Sequence, residues 1–144
     1  MTTVKDILQT KGHDVLSITP DATVYEALKV MADKNVGALM VLDGQTVAGI
    51  MSERDYARKV ILLGKSSREM QVREIMTSSV YYVRPEQSLQ ECMAQMTDKH
   101  VRHLPVLDDD RLVGVISIGD VVKTIIADHE TTIKLLENYI TGSP

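Results

Sequence analysis

Two short segments of this sequence carry a serine and an aspartate at the same spacing. Residues 49–55 and 114–120 both read Gly, two apolar residues, Ser, two further residues, Asp. Such a Ser and Asp pair is typical of a capping box, in which hydroxyl and carboxylate satisfy free backbone N–H groups where a helix begins. The same arrangement can serve a ligand, because a helix start attracts an anion and its carboxylate can accept two hydrogen bonds from a ribose diol. The residues alone favour capping and leave the ligand interpretation open.

A basic stretch follows the first motif, although the chain as a whole has a net charge of −4. Between residues 54 and 73 only two acidic side chains stand against the basic ones, which are Arg54, Arg58, Lys59, Lys65, Arg68 and Arg73. This stretch is either a solvated helix face with its loop or a patch that attracts phosphate. The acidic balance of the whole chain argues against nucleic acid as the main partner, because a phosphate backbone requires a broad basic face.

The other side chains that could bind a metal or take part in a reaction are isolated in the sequence. His100 and His103 have a spacing that can join two imidazoles on a metal, but the sequence places no third ligand near them, so we expect no metal. The single cysteine, Cys92, cannot form an internal disulfide, and we interpret it as a core residue. The sequence shows no nucleophile and base at an interpretable spacing and no Gly-rich phosphate loop. We therefore expect no catalysis.

The composition is that of a small globular protein with an aliphatic core. Hydrophobic residues make up 44% of the 144 residues and charged residues 25%, which fits one compact domain or two very small ones. There is no Phe or Trp, so eight Met and many aliphatic residues must fill the core, and a planar ligand finds few rings. Because we find neither a charged-then-apolar leader nor an apolar run of about 18 residues, the chain is predicted to be cytoplasmic.

The sequence contains an internal repeat. A displacement of 65 residues pairs residues 20–55 with residues 85–120 without a gap, and 13 of these 36 pairs are identical. Roughly two identities would be expected from average composition. A shorter similarity at a spacing of 68 relates residues 4–8 to residues 72–76. We conclude that the chain arose by duplication, and that the two Ser and Asp motifs occupy matching positions in the two copies.

Each copy shows the same predicted elements. Apolar residues at helical spacing follow Pro20 and Pro85 and predict one amphipathic helix per copy. A hairpin of two apolar strands follows, with its turn at residues 43–44 in copy one and 108–110 in copy two. Short extended segments at residues 15–19 and 80–84 precede the helices. The final stretch, residues 121–140, is predicted to hold the last helix of copy two and then a second helix that packs on the body or on another subunit.

These elements predict an α+β fold made of two βαββα repeats. A unit of about 60 residues buries too little surface to be stable alone, whereas two units related by a pseudo-twofold axis can cover each other's sheets. We expect one compact module, with repeat 1 and its lead segment at residues 1–65, repeat 2 at residues 66–127, and a C-terminal helix and tail at residues 128–144.

The repeat resembles the cystathionine-beta-synthase (CBS) domain, found in tandem pairs called Bateman modules, and the chain is similar to the stand-alone bacterial type. The resemblance covers essentially the whole chain. It rests on the duplicated Gly-apolar-x-Ser-x-x-Asp motif, on the Leu-Pro-Val-Leu segment at residues 104–107, and on the openings at Val4 and Val72. It implies a regulatory module that binds adenosine-containing ligands such as AMP, ATP, S-adenosylmethionine or NAD in two clefts. It implies sensing of energy or redox state, with no catalysis and no catalytic cofactor.

The resemblance also assigns residues to two nucleotide sites, because in this family the Asp of one copy holds the ribose while strands of the other copy enclose base and phosphates. The first site would combine Ser52, Asp55, Tyr81, Arg102 and His103, with Arg54 and Arg58 beside it. The second would combine Leu16, Thr19, Val36, Gly37, Ser117 and Asp120. Arg102 and His103 have the counterparts Gly37 and Ala38, so the first site is expected to be better for a charged nucleotide.

A second function remains open at this point: a scaffold module, independent of any ligand, that dimerises or docks on a partner and in which Ser and Asp only cap helices. The recurrence of both Asp residues, Arg102 with His103, and the basic stretch favour the nucleotide sensor. A ligand that bridges both copies would favour their closed arrangement and stabilise the fold. The resemblance implies a homodimer, an unidentified effector protein is a possible partner, and we expect neither nucleic acid nor membrane as a partner.

Overall fold

The computed structural model describes residues 1–141, which form helices and strands in the order expected of a repeated unit. The elements are α1 (Val4–Lys11), β1 (Ser17–Ile18), α2 (Val24–Lys34), β2 (Ala38–Asp43), β3 (Thr46–Ser52), α3 (Glu53–Tyr56) continued by a π-helical turn (Ala57–Ile61), α4 (Val72–Ile75), α5 (Leu89–Lys99), β4 (His103–Asp108), β5 (Arg111–Ser117) and α6 (Ile118–Thr141). This mixture of helices and strands confirms the predicted α+β fold.

The main helix of each copy, α2 or α5, begins and ends in the same way. Thr23 and Ser88 precede the two helices, and each side-chain oxygen accepts a hydrogen bond from the N–H three residues on. Both helices end at a residue in the left-handed conformation, Asn35 and His100, each with a φ of 55°. Most of the predicted apolar faces are buried, whereas Leu28 is partly buried and Met93 is exposed. The buried residues include Cys92, whose pKa is raised to about 11 by burial, as expected of an unreactive core thiol.

The hairpins of the two copies have the same register. In copy one Ala38 lies opposite Ser52, and in copy two His103 lies opposite Ser117. Both hairpins have an irregularity at matching places, at residues 41–42 and 106–107. β1 adds a parallel strand beside β2, whereas the matching segment of copy two makes a single bridge through Val83. The predicted hairpins are confirmed, and each serine motif lies where the second strand ends.

Each copy completes the hydrophobic core of the other with its lead helix. α1 precedes copy one in the sequence, yet Val4, Ile7 and Leu8 are buried in the core of copy two. α4 precedes copy two, yet Val72 and Ile75 are buried in the core of copy one. The backbone follows the same exchange, because the Val4 N–H donates to a carbonyl of copy two at 2.9 Å and the Val72 N–H to one of copy one at 2.8 Å. Neither copy therefore has a complete core of its own.

The C-terminal segment differs from the prediction of two successive helices. Residues 118–141 form one continuous helix, α6. No Gly or Pro occurs between residues 120 and 141, so nothing in the sequence interrupts its backbone hydrogen bonds. Val121 is buried against copy two, whereas Val122, Ile126, Ile133 and Leu136 are each 46–57% exposed. Within residues 1–141 no helix is both long and apolar enough to cross a membrane.

Candidate functional site

A cavity of about 420 Å³ lies between the two copies and is the candidate site. Its volume falls in the range of small-molecule sites. Copy one contributes the beginning of β2, the end of β3 and α3, and copy two contributes residues 77–81 and the corner between α5 and β4. The lining residues are Gly37, Ala38, Ile50, Ser52, Glu53, Arg54, Asp55, Thr77, Ser79, Val80, Tyr81, His100, Val101, Arg102 and His103. We call this space the inter-copy cavity.

The inter-copy cavity brings together most of the residues predicted for the first site. Those lining it are Ser52, Arg54, Asp55, Tyr81, Arg102 and His103, whereas Arg58 is not among them. Gly37, predicted for the second site, lines this cavity instead, because its carbonyl accepts the Glu53 N–H at 3.0 Å and so holds it beside Ser52. The remaining residues predicted for the second site do not line it: Leu16, Thr19, Val36, Ser117 and Asp120.

Sequence reasoning missed several residues that line the inter-copy cavity. Thr77, Ser79 and Val80 follow α4 directly, and Thr77 pairs with Ile50 through two backbone hydrogen bonds of 3.0 and 2.8 Å. The similarity of residues 72–76 to residues 4–8 marked the helix but not the segment behind it. His100, whose spacing from His103 suggested only a metal ligand, also lines the cavity. In the described part of the chain, residues 1–141, no three His, Cys, Asp or Glu side chains gather at a distance suited to a metal ion.

Asp55 is held at the edge of the cavity by the predicted capping box. Its Oδ2 accepts the Ser52 N–H at 3.0 Å and the Ser52 hydroxyl at 3.1 Å, while the Asp55 N–H donates to the Ser52 oxygen at 3.2 Å. Its Oδ1 lies 3.4 Å from the Lys59 Nζ, which donates a shorter bond of 2.8 Å to the Ile75 carbonyl. The cap therefore fixes one carboxylate oxygen, and the Lys59 ammonium forms a longer ion pair with the other.

Asp120 has the same capping box and a closer cation. Its Oδ2 accepts the Ser117 N–H at 2.8 Å, and the Asp120 N–H donates to the Ser117 hydroxyl oxygen at 3.1 Å. The Lys11 Nζ donates to the same Oδ2 at 2.7 Å and to the Val115 carbonyl at 2.7 Å. Burial alone would raise the pKa of Asp120, but the bonds from Lys11 and Ser117 outweigh it, and the pKa is lowered. Capping is thus confirmed at both motifs, and their surroundings differ.

The inter-copy cavity is bordered by two guanidinium groups, two carboxylates and two imidazoles. Arg54 comes from α3 of copy one, and Arg102 directly precedes β4 of copy two. Burial lowers the pKa of His103 despite the opposing charge of Asp120, so this ring is neutral at pH 7 and acts as a hydrogen-bond donor or acceptor. Tyr81 is 43% exposed, and the Lys99 Nζ lies 5.2 Å from its ring centre. A ligand that offers hydroxyl donors to the carboxylates and an anionic group to the guanidinium groups suits this combination.

Comparison with known proteins agrees with the duplicated architecture. The family model described as CBS domain matches residues 4–61 and 72–127. The chain is 41% identical to the mitochondrial CBS domain-containing protein CBSX3 of Arabidopsis thaliana, over 98% of this chain and 73% of that protein. It is 55% identical to a putative signal-transduction protein with CBS domains from Burkholderia ambifaria, with a TM-score of 0.85 over 88% of this chain and 96% of that one.

A more distant structure shares the fold alone. The CBS domain pair of protein MJ0100, solved in complex with 5′-methylthioadenosine and S-adenosyl-L-methionine, is 24% identical to this chain. The TM-score is 0.77 over 89% of this chain and 98% of that one.

Proposed function

The chain belongs to the CBS domain family, and we propose that it is a regulatory module that binds an adenosine nucleotide such as AMP, ATP or NAD in the inter-copy cavity. The observation that carries the proposal is the composition of that cavity. Asp55 and Ser52 of copy one border the same space as Arg102 and His103 of copy two. A carboxylate suited to a ribose and a cation suited to a phosphate are thereby placed on opposite copies.

The chemistry of the lining suggests how a nucleotide would lie. The Asp55 carboxylate would accept hydrogen bonds from the ribose hydroxyls. Arg102 and Arg54 would face the phosphate, where a guanidinium forms paired, charge-assisted bonds. Without Phe or Trp in the chain, the adenine would contact Ile50, Val80 and other aliphatic groups of the lining, with Tyr81 as the one phenol ring among the lining residues.

Regulation would follow from linkage. A nucleotide that touches both copies binds only when they are correctly apposed, so it stabilises that arrangement by about 2.7 kcal/mol at a hundredfold excess over its Kd. Tandem CBS modules are generally regulatory, and a similar fold in protein MJ0100 holds adenosine derivatives. We propose that this chain senses energy or redox state in the same way, with no catalytic step. Nucleotide binding would change either its homodimer or its contact with an effector protein.

The test is a panel of AMP, ADP, ATP, NAD, NADH and S-adenosylmethionine, measured by thermal shift and then by calorimetry. We expect at least one to bind in the micromolar to millimolar range, and Asp55→Ala to abolish most of that binding. Asp6→Ala is the matched control, because Asp6 and Thr3 form the same kind of capping box in α1. If no adenosine ligand binds, or if Asp6→Ala weakens binding as much as Asp55→Ala, the proposal is wrong.

One observation favours the alternative function, a module that associates independently of ligands. The exposed stripe on α6 presents Val122, Ile126, Ile133 and Leu136 along one helix, and single apolar patches of this kind commonly mark an interface. Sedimentation of the ligand-free chain separates the two functions. Scaffolding predicts an oligomer whose stability is unaffected by every nucleotide of the panel, whereas the sensor requires a nucleotide-dependent change.

A further inference from the structure

The second aspartate of the repeat is already occupied by a side chain of the same molecule. The Lys11 Nζ lies 2.7 Å from the Asp120 Oδ2 and 2.7 Å from the Val115 carbonyl oxygen. We propose that Lys11 is a tethered cation that takes the place of a ligand at Asp120 and so limits the module to one nucleotide per chain. This inference rests on the proposed function, because it concerns the counterpart of the nucleotide site in the other half.

The position of Lys11 follows from the packing of its helix. α1 begins with the Thr3 capping box, and its apolar face is buried in the core of copy two. Leu8 lies so close to β5 that a Cβ on Gly114 would be 2.6 Å from its Cδ2. Behind the helix, the His13 Nδ1 is 2.9 Å from the Val113 carbonyl oxygen. α1 is therefore held against β5 on both sides of Lys11, which keeps the ammonium group within reach of Asp120.

In copy one, a backbone N–H occupies the position that the Lys11 ammonium occupies in copy two. Ile50 is the counterpart of Val115. The Ile50 carbonyl accepts a hydrogen bond from the Thr77 N–H at 2.8 Å, whereas the Val115 carbonyl accepts one from the Lys11 ammonium. The cause is the length of the lead helix. α4 ends at Ile75, and Met76 turns into an extended conformation with a ψ of 153°, whereas α1 continues through Lys11. One additional turn of helix carries a lysine to Asp120, and its absence leaves residues 77–81 free to line the inter-copy cavity.

The lysine of copy one does not play this role. Lys59 is 3.4 Å from Asp55 on its own helix, four residues on, and is 44% exposed. Its shorter bond is to the Ile75 carbonyl, away from the carboxylate. A ribose diol can approach Asp55 without displacing a 2.7 Å ammonium contact. At Asp120 the same ribose would meet Lys11 at Oδ2, and displacing the ammonium would break its 2.7 Å contacts with both the carboxylate and the Val115 carbonyl.

The experiment counts bound AMP per chain by calorimetry. We expect one AMP for the wild type, two for Lys11→Ala, one for Lys11→Ala with Asp55→Ala, and none when Asp120→Ala is added to that pair. Lys5→Ala, an exposed lysine of the same helix, is the matched control and should bind one. Lys11→Gln serves as a second variant if Lys11→Ala does not fold, and it should also bind two.

The outcomes separate this inference from the proposed function. Two AMP molecules on the wild type, or one on a folded Lys11→Ala, would overturn the role of Lys11 and leave the nucleotide function standing. No AMP on the wild type but one on Lys11→Ala would support the role of Lys11 and overturn the site at Asp55. No AMP on any variant would overturn both.

Discussion

The corners at Asp55 and Asp120 have the same motif, the same reciprocal capping bonds through backbone N–H groups and the same hairpin register, and yet they offer a ligand different surfaces. The Asp55 corner opens into the inter-copy cavity, whereas the Asp120 corner holds Lys11. The difference arises outside the motif, in the lead helices α1 and α4 that the copies exchange. A duplicated binding motif is therefore not evidence for two equal sites, because the segment beside the motif decides which groups contact its carboxylate.

The largest expected effect is the contrast between the two aspartates in nucleotide affinity. Asp55→Ala should weaken AMP binding about a hundredfold, or ~2.7 kcal/mol, because it would remove the charge-assisted bonds proposed between this carboxylate and the ribose. Asp120→Ala should leave the affinity within about twofold of the wild type. Calorimetry on both variants measures the contrast. Equal losses would show that the two corners act as one site.

The two motif glycines give the next contrast, in stability. A Cβ on Gly49 would lie 2.7 Å from the Thr77 carbonyl oxygen, a backbone atom held by the Ile50 N–H, whereas a Cβ on Gly114 meets the end of the flexible Leu8 side chain at 2.6 Å. Gly49→Ala should therefore cost about 2 kcal/mol of unfolding free energy and Gly114→Ala about 1 kcal/mol.

Urea unfolding of the two glycine variants, at an unchanged slope, measures these costs. A larger cost for Gly114→Ala would mean that Leu8 cannot adjust, and that α1 is more rigidly held than the segment after α4.

Much of this architecture was predictable because the two copies can be aligned and compared position by position. The 65-residue register predicted both hairpins, both main helices and the burial of Cys92 on the same stripe as Ala27. The exchange of lead helices was not predictable. The sequence around Val4 or Val72 does not indicate in which of the two cores the helix is buried. The break expected within residues 121–140 was wrong, because polar residues alone do not interrupt a helix that lacks Gly and Pro.

The candidate site was predictable to a similar degree. The residues that resemble a family motif, such as Asp55 and Arg102, lie together as expected, but Gly37 was assigned to the other site. Its place beside Ser52 follows from the pairing of β2 with β3, which brings the beginning of one strand to the end of the next. The contact between Lys11 and Asp120 joins residues 109 positions apart and has no counterpart in copy one, so repeat comparison could not find it.

A smaller effect should separate the phosphate from the nucleoside. Arg102→Ala is expected to weaken AMP about tenfold and adenosine hardly at all, because the guanidinium contributes about 1.4 kcal/mol through the phosphate. Arg84→Ala, outside the inter-copy cavity, is the control and should change neither. The loss with Arg102→Ala should shrink at high salt. Equal losses for AMP and adenosine would place Arg102 against the ribose or the base.

The smallest expected effect is the pH dependence that Lys11 gives to stability. The folded-state pKa of Asp120 lies below its ordinary value of 3.8, chiefly because the bonds from Lys11 and Ser117 outweigh burial. A lowered pKa stabilises the fold above pH 3.8, and this contribution is lost as pH falls through the folded-state value. Lys11→Met should therefore lower stability by about 0.5–1 kcal/mol at pH 7, with the difference from the wild type narrowing towards pH 2.

Lys59→Met is the matched comparison, since the Lys59 ammonium lies 3.4 Å from Asp55 where that of Lys11 lies 2.7 Å from Asp120. Thermal unfolding of the two variants between pH 2 and pH 7 should give the smaller effect for Lys59. A difference between wild type and Lys11→Met that stays constant down to pH 2 would mean that Lys11 stabilises the fold through the Val115 carbonyl and not through the carboxylate. In that case the two corners would differ in packing alone, and removing the charge of Lys11 would not open the second one.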